Sequence, residues 1–273
     1  MSASPKRPAA PADFRALKAR GERCAWLTAY DVAFARLVGR AGVDGILVGD
    51  SLGQVVAGYA TTLPVTLADV IYHTRAVARG APDVFLVVDM PFLSYQISAL
   101  DAVANAGRVL KETEAAGVKL EGGRVIASTI RRLTRASIPV MGHLGLLPQS
   151  VRALGGYPLQ AGDEASAAAL VEDARRLQDA GCFAIVLEKI PATVARAVSS
   201  TLEIPTIGIG AGPGCDGQIL VLHDLLGLGE GFGPRFVRRY AELGAETVRA
   251  VEAYVRDVKT GAFPSESESY EAP

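Results

Sequence analysis

The sequence predicts an α/β fold, a single closed (β/α)8 TIM barrel, on three observations. Short apolar runs ending in Gly, Asp or Glu alternate with longer amphipathic stretches along the whole chain. Eight such runs occur with no hairpin signal between consecutive ones, which argues for parallel strands joined by crossover helices. The 273 residues, 49% of them hydrophobic, suit one barrel of this kind. A closed sheet accommodates eight units better than an open one.

In chain order, the strands are expected at Cys24–Tyr30, Gly45–Asp50, Val84–Met90, Val118–Glu121, Ile138–His143, Ala184–Glu188, Thr206–Ile209 and Ile219–His223. Between the second and third, Leu67, Val70, Ile71, Thr74 and Ala78 form one stripe at helical spacing, predicting a helix over Leu67–Arg79. Leu170, Ala174 and Leu177 repeat the pattern over Glu164–Ala180, and Gly181 supplies a stop. A last helix is expected over Pro234–Val258, with Val237, Ala241, Val248, Val251 and Val255 on its buried side. The barrel domain is placed at 13–263. Residues 1–12, and 264–273 with their Ser-Glu alternation, are expected to be flexible.

Composition narrows the function classes. With 28 basic and 29 acidic residues and a formal net charge of −1, no basic field or Lys/Arg cluster points to nucleic acid. The Pro/Ala/Ser-rich stretch Met1–Asp13 has no apolar core segment and does not read as a signal peptide. Elsewhere charges interrupt the apolar runs well before the ~20 residues a membrane helix needs. A soluble cytoplasmic protein is the expectation. Cys24, Cys182 and Cys215 lie far apart without a C-x-x-C pair. They predict buried apolar side chains, not a disulfide framework, a zinc site or a nucleophile.

The acids carry the chemistry. Asp50, Asp89, Glu121 and Glu188 each stand at the end of a predicted strand. Stepping back by two along each strand gives Val48 and Ile46, Val87 and Phe85, Lys119, and Val186 and Ala184 on the same faces. If those faces line the barrel interior, the four acids converge at its C-terminal mouth, where barrel enzymes carry their active sites. Any one of them serves equally well as a helix cap or turn former. Four together would repel strongly unless a cation neutralised them, and an all-oxygen donor set favours Mg2+ over zinc.

Other residues are less specific. His143 ends its strand and suits either the site or a structural role; His73 and His223 read as packing or surface residues. The run Gly208–Gly214 lacks the spacing of a dinucleotide fingerprint and has no Walker lysine, so a tight loop is the better reading. Lys119 among acids should stay protonated and suits a clamp for a substrate carboxylate. Lys189 points away from the face of Glu188 and reads as structural.

Several segments in one order resemble ketopantoate hydroxymethyltransferase. They are Gly49-Asp50-Ser51-Leu52-Gly53, Val88 through Gln96 (VDMPFLSYQ), Val118 through Gly123 (VKLEGG), Gly142-His143-Leu144-Gly145, Val186-Leu187-Glu188, and the run Ile204–Gly227 with its Asp216-Gly217-Gln218 and His223 through Gly227. The resemblance covers nearly all of the chain between Asp13 and Phe263. It implies a Mg2+-dependent barrel of the phosphoenolpyruvate/pyruvate type. The implied reaction transfers a hydroxymethyl group from 5,10-methylenetetrahydrofolate to 3-methyl-2-oxobutanoate through a Mg-stabilised enolate. The product, 2-dehydropantoate, serves pantothenate and coenzyme A biosynthesis.

By the same resemblance, Asp50, Asp89 and Glu121 would surround the metal. Asp50, Ser51, Asp89 and Lys119 would hold the oxo acid, and Glu188 would accept the proton. Subunits would assemble into a homo-oligomer, a decamer. The chain departs from the family pattern at Leu147, where a Thr is usual, and at Gly214, where an Asp is usual; both departures bear on loops near the folate. Two other readings stay in view. A Mg2+-dependent carbon–carbon lyase or decarboxylase could use this barrel, although the Lys-Lys-Cys-Gly-His loop typical of such lyases is absent. A non-catalytic barrel that senses a metabolite would have no need of Glu188.

Overall fold

In the computed structural model, which describes residues 8–229 and 233–270, eight parallel strands close on themselves in sequence order. They are β1 (Cys24–Thr28), β2 (Gly45–Val48), β3 (Phe85–Asp89), β4 (Gly117–Glu121), β5 (Val140–Gly145), β6 (Ala184–Glu188), β7 (Thr206–Ile209) and β8 (Gly217–Leu220). The barrel shuts where Cys24 to Leu27 of β1 pair with Gly217 to Leu220 of β8. The predicted fold class is the observed one.

The sixth and seventh strands have the expected bounds, and the third and fourth differ by one residue at one or both ends. The first stops at Thr28, and the fifth is shifted to Val140–Gly145 so that His143 lies inside it. The second and eighth differ in ways that matter to the site. The eighth runs Gly217–Leu220, not Ile219–His223, and His223 belongs to a short helix, Leu222–Leu225. Pairing with both β1 and β7 draws Gly217 into the sheet, a tertiary demand with no local signal. The second strand stops at Val48, so Asp50 lies beyond it.

The helix Leu67–Gly80 starts with a capping box in which Thr66 accepts from the Asp69 N–H and Asp69 accepts from the Thr66 N–H. It buries Val70, Ile71, Thr74, Val77 and Ala78. The helix Glu164–Asp179 buries Leu170, Ala174 and Leu177 as the stripe predicts. A helix at Pro11–Ala19 was not foreseen. It takes Pro11 and Ala12 out of the expected flexible leader, and Asp13 accepts hydrogen bonds from the Ala9 and Ala10 N–H groups at its start.

That helix delivers Phe14, fully buried, to the N-terminal end of the barrel. Its ring centroid lies 5.1 Å from that of Trp26 and 5.0 Å from that of Phe85, the latter edge-on. Leu47, Phe85, Val87, Met141, Val186 and Ile207 join the same cluster. Leu47 therefore faces inward, whereas Ile46 and Val48 were expected to do so. A Cβ on Gly45, also on the inner face, would run into the Trp26 ring. The three cysteines are buried and free, as expected.

The chain divides into two compact units, one ending at Val221 and one beginning at Leu222; the domain expected over 13–263 spans both. In the second, the long helix is Leu243–Thr260 and does not start at Pro234. The backbone before it pairs elsewhere: Tyr240 N–H donates to Leu225 O at 2.8 Å and Leu243 N–H to Leu226 O at 2.9 Å. The expected buried side is also corrected, because Val248, Val251 and Val255 are exposed and the helix buries no residue. Among the described residues, no helix is long and apolar enough to cross a membrane.

Candidate active site

Register, not local sequence, gathers the polar residues at the C-terminal ends of the strands. Asp89 on β3 sits beside Lys119 on β4. Glu121, two residues further along β4, sits beside His143 on β5. Glu188 ends β6 opposite Gly145. Because side chains alternate along a strand, these positions share the inner face with Phe85, Val87, Met141, Ala184 and Val186 below them.

Asp50 reaches the same place by another route. After β2 the chain turns, with Leu52 N–H donating to Gly49 O and Gly53 N–H to Asp50 O. The Asp50 N–H points to Asp89 Oδ2 at 3.4 Å. A Cβ on Gly49 would lie 2.7 Å from Ser51 Oγ and 3.3 Å from Asp89 Oδ2, so glycine is what lets this turn press against the acids. Ser51 Oγ is hydrogen-bonded to the Tyr30 hydroxyl at 2.8 Å.

Asp89, Lys119, Glu121 and His143 are all buried, as is Asp50. Lys119 Nζ donates to Asp89 in a buried ion pair. His143 lies between two carboxylates, Nδ1 at 3.5 Å from Glu121 Oε1 and Nε2 at 3.3 Å from Glu188 Oε2. Glu188 and Ser51 are only partly buried, the Glu188 side chain being 16% exposed. Every site residue named from the sequence thus falls in one cluster, and His143, left open there, is part of it.

Three residues of the cluster were not among the site candidates read from the sequence, although Tyr95 lies within the quoted VDMPFLSYQ segment. Gln149 Nε2 donates to Asp50 Oδ2 and to Met90 O, both at 2.9 Å. Its main-chain N–H donates to Glu121 Oε2 at 3.1 Å. Tyr95 accepts from the Glu121 N–H at 3.0 Å and directs its hydroxyl at Gln149 Oε1, 2.9 Å away. Tyr30 is the third, through Ser51. All are uncharged, so no pattern of acids could point to them.

The electrostatics are those of a site short of positive charge. Burial first, then the charges of Asp89 and Glu121, push the Asp50 carboxyl well above the usual carboxylate range. Burial also raises Asp89, against the pull of Lys119. Burial opposes the Lys119 charge, but Asp89, Glu121 and Asp50 hold it protonated. Burial, with Lys119, opposes charging of His143, yet Glu121 and Glu188 prevail and its pKa is pushed up to about 9. Glu121 is lowered, because His143 and Lys119 outweigh its burial.

Four carboxylates stand against two cations, a formal excess of two negative charges. Among the described residues, no group of three or more His, Cys, Asp or Glu is arranged to hold a metal ion. The expected trio is therefore not a ready-made three-ligand group; Glu121 is joined to Asp50 through Gln149. Mg2+ is commonly held by only one or two carboxylates, with substrate and water completing its shell. Two neighbouring buried acids, an oxygen-only donor set and a charge excess of two fit such an ion. Glu121 Oε1 is buried, makes no hydrogen bond of normal length and has only the His143 ring, at 3.5 Å, against it.

The family model for ketopantoate hydroxymethyltransferase matches residues 9–266. A 3-methyl-2-oxobutanoate hydroxymethyltransferase from Chlorobaculum tepidum is 56% identical over 258 residues, covering 93% of each chain. A protein of the same name from Parabacteroides distasonis is 54% identical over 254 residues, again with 93% of each covered. Similar solved structures include phosphonopyruvate hydrolase in complex with oxalate and Mg++, with a TM-score of 0.60, 16% identity, and 94% and 92% of the two chains covered. Another is 2,3-dimethylmalate lyase, a member of the PEP mutase/isocitrate lyase superfamily, with a TM-score of 0.58, 17% identity, and 95% and 91% covered. At that identity they speak for the barrel alone. The sequence relatives speak for more: the chain belongs to the ketopantoate hydroxymethyltransferase family and is an enzyme of hydroxymethyl transfer.

Proposed function

We propose that this enzyme transfers a hydroxymethyl group from 5,10-methylenetetrahydrofolate to 3-methyl-2-oxobutanoate, giving 2-dehydropantoate for pantothenate and coenzyme A biosynthesis. The observation that carries the reading is one buried cluster holding Asp50, Asp89 and the Lys119 cation, with Glu188 at its solvent-facing edge. Such a cluster suits a small anion that must be bound, polarised and deprotonated in one place.

In this reading Asp50 and Asp89 would hold Mg2+, with Glu121 the third acid of the set. The ion supplies Lewis acidity that favours negative charge on the substrate's keto oxygen. Lys119, kept protonated by its acidic neighbours, attracts the oxo-acid carboxylate. Ser51, steadied by Tyr30, donates a hydrogen bond to the same group. Glu188, which His143 contacts at one oxygen, takes the proton from C3 of the substrate. The enolate carbon would bond to the folate methylene carbon, whose two carbon–nitrogen bonds break. Water supplies the new hydroxyl, and its second proton and the one taken by Glu188 pass to the two nitrogens of the departing tetrahydrofolate. The surrounding apolar layer keeps other water away from the carbanion.

The proposal extends to a single catalytic domain over 13–263, a cytoplasmic setting and the decameric assembly implied by resemblance. The decisive assay measures folate-linked product formation with and without Mg2+. Product that requires both Mg2+ and the folate bears the reading out. Turnover without the folate sinks it.

A further inference from the structure

We propose that Gln149 is a positioning residue that sets the spacing between the metal-side acids Asp50 and Glu121. The inference rests on the Mg2+ reading above. Gln149 lies in a 3-10 turn, Pro148–Ser150, directly after β5 and is buried. It belongs to none of the strands that carry the acids it touches.

Its amide is fully engaged. Both Nε2 hydrogens are used, on Asp50 Oδ2 and Met90 O. Both Oε1 lone pairs are used as well, by the Tyr95 hydroxyl at 2.9 Å and Gln96 Nε2 at 3.0 Å. The amide cannot be turned over, because its oxygen would then face the Asp50 carboxylate and the Met90 carbonyl, two acceptors. The main-chain N–H adds a fifth bond, to Glu121 Oε2.

One residue therefore ties down one oxygen of Asp50 and one of Glu121; the other Asp50 oxygen is left for a ligand, while the other Glu121 oxygen faces His143. Without that tether, repulsion between the two acids would swing Asp50 away. A glutamine suits the task where a lysine would not: it donates to a carboxylate without neutralising the charge that the cation needs. Partners of this kind fix ligand orientation, and their loss typically costs about 10–100-fold in metal affinity.

The test compares wild type with Gln149→Met, which keeps the side chain's length and removes its amide. Binding of Mg2+ alone is titrated by calorimetry, thermal stability is recorded in parallel, and the oxo-acid KM and kcat are measured at saturating Mg2+. The proposal expects a folded variant whose Mg2+ dissociation constant rises about tenfold or more, with kcat largely recovered at saturating Mg2+. Unchanged Mg2+ affinity in the folded variant overturns it, as does an affinity loss that Mg2+ saturation leaves uncorrected in kcat. If Gln149→Met does not fold, Gln96→Ala decides. That exposed residue supplies one of the two bonds orienting the amide, and its loss is expected to weaken Mg2+ binding about twofold to tenfold, as befits one hydrogen bond; no change overturns the proposal. Wild type that fails to bind Mg2+ sinks the metal reading itself.

Discussion

Lys119 and Asp89 are register partners on adjacent strands, and their side chains form an ion pair that is 95% shielded from solvent on both sides, each being 5% exposed. Burying two charges is costly and is repaid only while both are present. The pair is therefore a poor source of stability and a sensible piece of machinery. In the proposed reaction it would keep a cation at the barrel mouth for a substrate anion to share.

Removing the cation alone should expose that cost. Lys119→Met leaves Asp89 buried and unpaired beside Asp50, and a loss of about 3–5 kcal/mol of stability is expected without metal. Mg2+ should restore part of it, while the oxo acid should bind far more weakly. Denaturant titrations with and without Mg2+ read the first effect and calorimetry the second. Equal stability of variant and wild type in metal-free buffer would refute the expectation.

Glu188→Gln keeps the shape of the side chain and removes its capacity to accept a proton. Oxo-acid binding should persist, and exchange of the substrate's C3 proton in D2O should fall about 10²–10⁴-fold. NMR of the substrate alone with enzyme and Mg2+ is enough to see it. Wild-type exchange in the variant would take Glu188 out of the role.

Metal-free stability should decline as pH rises. His143, raised to about 9, contributes stability that is complete below its ordinary value of about 6.5 and is lost as pH climbs through about 9. The raised carboxyls of Asp50 and Asp89 act in the same sense, since the folded state holds their protons more tightly than the unfolded chain does. Mg2+ competes with those protons, so the rise in Tm on adding it should be larger at pH 8 than at pH 6. A Mg2+ effect that shrinks with rising pH would contradict this account.

Phe14→Ala tests the far end of the barrel. The ring is fully buried among Trp26, Phe85 and Phe183, and its removal should cost about 3–5 kcal/mol. The catalytic end should be spared: KM for the oxo acid at a temperature where the variant is folded is expected to match wild type.

Periodicity and strand-end punctuation determined the barrel, the eight strands and the acids that end them, because alternation along a strand is a property of neighbouring residues. Asp89, Glu121 and Glu188 could be placed on inner faces that way. Asp50 could not: its strand ends at Val48, Leu47 and not Val48 faces inward, and a turn made possible by Gly49 carries the carboxylate to the site. Resemblance supplied the roles that spacing alone left open.

Only the tertiary structure decided who holds the acids in place. Gln149, Tyr95 and Tyr30 come from other segments and are uncharged, and His143 became a bridge only when β5 met β4 and β6 in register. The Phe14 plug was settled the same way. A pattern along the chain records which side of an element is apolar. What meets that side depends on closure of the sheet, which brings together residues more than a hundred positions apart.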